Sequence, residues 1–123
     1  MTLQRATAWV AASRDGRQRL LAIVERADTA LTRMRGLLGR DGLPDGEGLV
    51  LTPCSMVHTL FMRFPIDVLF LDRHDRVVRS VDAVKPFRFA WGGWRARSTI
   101  ELPAGTLRRA DVRAGHHIRI EAP

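Results

Sequence analysis

The chain has 123 residues, 46% of them apolar, so residues 1–123 read as one domain with enough apolar surface for one core. No apolar run reaches the ~20 residues of a membrane-spanning helix, the N-terminal residues lack the unbroken apolar stretch of a secretory signal, and Cys54 is the one cysteine. A helical membrane protein and a disulfide-stapled scaffold are thereby excluded, and a cytoplasmic protein of net charge +7 with no membrane partner is expected.

In chain order, Thr7 to Ser13 and Arg19 to Glu25 read as two strands, joined by the Asp15-Gly16 turn signal into a hairpin. Asp28 is placed to cap a helix whose apolar face carries Ala30, Leu31, Met34, Leu37 and Leu38. Gly39 and Gly42 are placed to end it. Three glycines and Pro44 mark residues 42–48 as a surface loop. Strands follow at Gly48 to Thr52, Val57 to Phe61 and Ile66 to Leu71, with Pro65 at a strand start. A turn at Arg73-His74-Asp75 leads to a strand over Arg76 to Val84, with Val77, Val81 and Val84 inward. Lys85 to Arg95 reads as a long loop or irregular ribbon. Ser98 to Leu102 is a strand, Leu107 to Asp111 one helical turn, and Ile118 with Ile120 marks the last strand. Seven to eight short strands and one short helix predict a mainly β (α+β) fold, a small barrel-like or sandwich domain. An all-parallel sheet would need more crossover helices than the chain supplies.

The segment from Pro53 to Asp72 concentrates the residues that carry chemistry. Extended, it puts Cys54, Met56, His58, Leu60 and Met62 on one face. Three readings are open: a cysteine nucleophile with a histidine base, a soft-metal site, or buried core filler. Core is favoured, because Cys-x-x-x-His supplies two ligands and no second pair of metal-binding spacing follows. Asp67 lies in the otherwise apolar run Phe64 to Leu71. A buried carboxylate must be paired or hydrogen-bonded, and Arg63, His58, Thr59 and Arg33 are the expected partners. Glu101 sits between apolar neighbours in the same way. No catalytic residue set, metal motif, phosphate loop or cofactor fingerprint is present.

The charge is uneven. Lys85 to Arg119 holds eight basic residues against Glu101 and Asp111. Phe87, Phe89, Trp91 and Trp94 interleave there with Arg88, Arg95 and Arg97. Aromatic faces with guanidinium groups suit single-stranded nucleic acid. The competing reading is a lid in which the aromatic rings cover the barrel mouth and the arginines stay wet.

Phe61-Met62-Arg63, Pro65-Ile66-Asp67 and Val68 to Asp72 resemble the core motif of the DUF192 family, a domain of unknown function in bacteria and archaea. Arg33-Met34-Arg35-Gly36-Leu37-Leu38 resembles its Arg-x-x-Gly-Leu-Met helix, with Leu38 where Met is usual. Ile100-Glu101-Leu102-Pro103-Ala104-Gly105 resembles its Leu-Glu-Leu-x-x-Gly step. Gly115-His116 stands where Gly-Asp is usual. The resemblance runs from about Ala27 to Ile120. It implies a compact, mostly β, barrel-like fold with a short helix. It makes Arg33, Thr59, Met62, Asp67 and Glu101 site candidates, without a reaction.

The expected function is a non-catalytic ligand-binding or accessory module for a small molecule or protein. Its polar cluster would be His58, Thr59, Met62, Arg63, Asp67, Glu101 and Arg33, overhung by the Trp91 to Trp94 loop. One alternative is nucleic-acid binding through residues 85–113, with Trp91, Trp94, Arg95 and Arg97 in contact. Another is a small enzyme using Cys54 or Asp67. No cofactor is expected.

Overall fold

The computed structural model describes residues 4–11, 18–27, 42–60 and 62–121. The helix expected after Asp28, with Arg33 on it, the turn at residues 14–17, and Phe61 lie outside the described residues.

Apolar alternation and short turns produce nine described strands: β1 (Gln4–Ala11), β2 (Gln18–Ala27), β3 (Glu47–Leu51), β4 (Met56–His58), β5 (Ile66–Leu71), β6 (Val77–Val84), β7 (Phe89–Trp91), β8 (Ser98–Pro103) and β9 (His117–Glu121). One turn of helix, α1 (Thr106–Arg109), precedes β9. The fold is therefore mainly β, as the turn spacing implies. The ninth strand is β7, from the segment whose glycines and aromatics read as an irregular ribbon.

Seven strands form one sheet in the order β6-β5-β8-β3-β2-β1-β9. Every pair is antiparallel except β2 with β3. That parallel pair needs one long crossover, and residues 28–46 supply the length. The sheet curls until its edges meet at one end. There Arg76 bridges His117, and the Val77 and Ile118 amides donate to His116 O and Asp75 O, both at 2.8 Å.

Two neighbouring interior strands, β5 and β8, are buried along their whole length. A strand covered on both faces reads as a continuous apolar run, which is why Ile66 to Leu71 shows no alternation. The concave face packs Val24, Val50, Leu69, Leu71, Ile100, Leu102 and Ile118 with Leu107 of α1. The opposite face packs Leu49, Leu51, Ile66, Val68 and Phe70.

A separate two-stranded ribbon, β4 with β7, covers that second face. Val57 and Ala90 are paired and buried against it, whereas Met56↔Trp91 and His58↔Phe89 point outward. The expected assignment of faces is thus reversed for Met56 and His58, which are surface residues. β4 is also shorter than the expected Val57 to Phe61. The Met62 amide donates to Thr59 O at 3.2 Å, and this turn ends the strand and returns Met62 to the core.

After β7 the chain makes its closest approach to the sheet. A Cβ on Gly92 would lie 2.5 Å from two ring carbons of Phe70 and 2.6 Å from Ala96 Cβ. Gly93 adopts φ +93°, a conformation that costs glycine little. Gly92→Ala must push the ring of Phe70 or lift the ribbon. It should cost about 1–3 kcal/mol in denaturant unfolding, and a change in indole fluorescence at Trp91 and Trp94 would show that the loop moved.

Candidate functional site

Asp67 sits on β5, next to the edge strand β6, with no solvent exposure. Its partners are two backbone amides, not the expected Arg63, His58 or Thr59. Oδ1 accepts from Ala83 N at 2.8 Å, and Oδ2 accepts from Leu107 N at 2.9 Å. The first amide belongs to β6, where Ala83 takes φ +48° and the register with β5 shifts. The second is in the first turn of α1, whose N-cap Gly105 has no side chain to offer. Asp67 thus caps a helix from a neighbouring strand, satisfying an amide that the helix itself leaves free.

Glu101 is buried as well, but on the opposite face. In the ladder it stands across from Leu49 and Val68, whose side chains belong to the second core. Asp67 stands across from Leu102, in the first core. Residues directly opposite in a ladder project to the same side, so the sheet separates the two carboxylates.

Thr59 is fully buried and organises the turn before β7. Its hydroxyl donates to Lys85 O at 2.6 Å and accepts from Arg88 N at 2.8 Å. Its main chain bonds Arg88 O and the Phe87 amide. Met62 is core, while Arg63 and His58 are exposed. Cys54 packs against the second core, and its thiol donates to Met56 O at 3.2 Å. His58 stands on the outer face beside Phe89, ring centroids 6.3 Å apart. Asp67, Glu101 and His58 therefore do not converge on one space.

A different set of residues does converge. Met56, Phe89, Trp91 and Trp94 are exposed along the outer face of the ribbon and the loop after it, Trp94 at 93%. Phe87 is exposed just before β7. Trp91 and Trp94 meet edge to face with centroids 5.2 Å apart. The aromatics do not form the inward-facing lid that the sequence allowed, because β7 turns its small residue, Ala90, inward.

Next to Trp94 lies an open groove of about 480 Å³, lined by Asp72, Arg73, His74, Arg95 and Arg97. Two backbone bonds build it: Arg97 N donates to Leu71 O at 2.7 Å, and Cys54 N donates to Arg97 O at 2.8 Å. The first brings the loop after β7 against the end of β5 and its turn, and the second ties that loop to the segment between β3 and β4. None of Arg73, Arg95 and Arg97 makes an ion pair with a described residue. Sequence reasoning found Trp94, Arg95 and Arg97 but not Arg73 and His74, since nothing local links that turn to a loop some twenty residues later.

Asp72 holds the turn in shape. Its Oδ1 accepts from His74 N at 2.8 Å and Arg76 N at 3.0 Å. Slight burial opposes ionisation. The amides of Arg76 and His74, with the charges of both side chains, outweigh it and hold the carboxyl below its ordinary value.

The DUF192 family, described as "Uncharacterized ACR", matches residues 10–120. A UPF0127 protein of Pyrococcus furiosus is 36% identical over 64 residues, which are 52% of this chain and 54% of that one. The alignment thus spans about half the length of this curated relative. A protein of unknown function from Novosphingobium aromaticivorans has the same fold, with TM-score 0.83 at 20% identity over 95% of this chain and 86% of that one. A protein from Sinorhizobium meliloti, described as a candidate transcription regulator, has TM-score 0.84 at 20% identity over 98% of this chain and 96% of that one. At that identity the likeness concerns the fold alone. No helix among the described residues is long and apolar enough to cross a membrane.

Asp67→Asn replaces one acceptor oxygen by a donor facing a backbone amide. It should lower stability by about 1–3 kcal/mol and leave the spectra of Trp91 and Trp94 unchanged when folded. The stability that Asp72 contributes is present above the ordinary carboxylate pKa and lost as pH falls through the lowered folded value. Asp72→Asn should therefore be less stable than the parent at neutral pH, and urea titrations at decreasing pH should show the gap closing in acid.

Proposed function

The chain belongs to the DUF192 family, a family of unknown function, and from that premise we propose that it is a non-catalytic binding module for an extended anionic partner. The binding surface is the outer face of the β4–β7 ribbon with the adjoining arginine groove. One observation carries the reading: large aromatic side chains stand exposed beside three arginines that form no ion pair with a described residue, in a groove with one carboxylate, Asp72. Exposed apolar surface of this kind costs solubility and marks interaction sites.

The residues expected to form a polar pocket support this relocation. Asp67 and Thr59 spend their hydrogen bonds on the chain's own backbone, and Met62 fills the core. The enzyme alternative loses its best pair, because Cys54 packs inward while His58 faces out. The basic segment 85–113 enters in part: its Trp91, Trp94, Arg95 and Arg97 belong to the surface, joined by Arg73 from outside the segment. Arg108, Arg109 and Arg113 instead approach Asp82, Asp45 and Asp111. The reading keeps the protein in the cytoplasm, where Cys54 remains a free thiol.

Heparin affinity chromatography tests the surface. The parent should be retained, and the triple variant Arg73→Ala, Arg95→Ala, Arg97→Ala should elute at clearly lower salt. A control of equal charge change, Arg108→Ala, Arg109→Ala, Arg113→Ala, should move less. Equal shifts for the two triples would mean diffuse charge and no site.

A further inference from the structure

The ribbon and groove combine two chemistries that few anionic partners satisfy together. Aromatic faces recognise flat rings, and guanidinium groups recognise phosphate or carboxylate oxygens. A sulfated polysaccharide uses only the second. A duplex keeps its base faces stacked inside the helix and offers mainly its phosphates. An unpaired strand presents both, with each base joined to a phosphate.

The geometry fits that partner. Trp91 and Trp94 stand edge to face at 5.2 Å, so their rings present planes in two directions, and Phe89 lies two residues before Trp91 on the same outer face. Trp94 also lines the groove that holds Arg73, Arg95 and Arg97, so stacking and charge meet at one residue. Its 93% exposure leaves the indole open to a base. Gly92, pressed on Phe70, and the Arg97 to Leu71 bond fix the loop that carries it. Arg79 reaches over from β6 and donates to Trp91 O at 2.8 Å, which holds the β7 end of the platform. The charge is unbalanced in the sense required, three guanidinium groups against the single carboxylate of Asp72.

We infer that this face binds single-stranded nucleic acid, with bases stacked on Trp94, Trp91 and Phe89 and the phosphates in the groove of Arg73, Arg95 and Arg97. The inference rests on the binding-module reading above and adds the partner. Three rings set a footprint of about four nucleotides, at the short end for small β-barrel domains. Recognition is independent of base sequence, because every base offers a π-face.

The test is fluorescence anisotropy of a labelled oligo(dT) of about twelve nucleotides, long enough to cover the footprint, beside a duplex of the same length, heparin and vesicles containing anionic lipid. Size-exclusion chromatography is run on the free protein. The expected result is binding of the single strand at least about 10-fold tighter than of the duplex. Trp94→Ala should weaken it about 10-fold or more with an unchanged melting temperature, as for loss of one stacked base, and Trp94→Phe should restore most of it. Arg95→Ala with Arg97→Ala should reduce the slope of log affinity against log salt by about 1.4, two phosphates at ~0.7 each.

Equal affinity for strand, duplex and heparin, insensitive to Trp94→Ala, would overturn the partner and leave an anion-binding module standing. Preference for vesicles, or a dimer that buries the Trp94 indole, would overturn it in favour of a lipid surface or a second copy. No binding to any polyanion at low salt would overturn both the partner and the module.

Discussion

The carboxylate of Asp67 joins three elements of the fold at one point. It projects from the interior strand β5 and takes one amide from the edge strand β6 and one from the first turn of α1. A carboxylate removed from water this completely is tolerated only when its oxygens are occupied, and here the backbone itself occupies them. The helix is positioned over the concave core, so that Leu107 can join Leu69 and Leu102. The strand acquires a left-handed residue at Ala83 and a break in register. Such irregularities make an edge strand a poor template for another chain. One side chain therefore caps a helix, bends an edge and closes one end of a core.

This allocation of polar groups fixes which side chains stay at the surface. The motif between His58 and Asp67 looks like a cluster of reactive and ligand-binding residues when read along the chain. In three dimensions the sheet puts Glu101 and Asp67 on opposite faces, the turn at Thr59 sends Met62 into the core, and Arg63 and His58 face solvent. The hydrogen-bonding capacity of Thr59 goes to the turn at residues 85–88. The surface with surplus chemistry lies on the ribbon that this turn leads into.

Much of the fold was legible because its signals are local. The run Ile66 to Leu71, bounded by Pro65 and Asp72, has the length and flanks of a strand, and that is β5. Thr106 to Arg109 follows the turn at Pro103 to Gly105 and forms the single helical turn expected there. The ribbon was less legible. Phe89, Ala90 and Trp91 alternate in size, but three residues are too few for periodicity to separate a strand from a glycine-rich loop. The faces of β4 were read backwards because polar and soft residues outnumber Val57, although the small pair Val57 and Ala90 is what fits beneath the ribbon. The groove was invisible for another reason. It forms where the turn after β5 meets the loop after β7, through backbone bonds that no side-chain pattern encodes.

The ribbon packs through Val57, Ala90 and Gly92, while Met56, His58, Phe89 and Trp91 stand exposed on its outer side. Alternation along two short strands thus separates the residues that hold the module together from those that meet the outside world. The inward set is constrained by the ring of Phe70 and the second core; the outward set is almost free of the fold. Related chains can therefore exchange the outer side chains, and with them the chemistry of whatever they engage, on an unchanged scaffold.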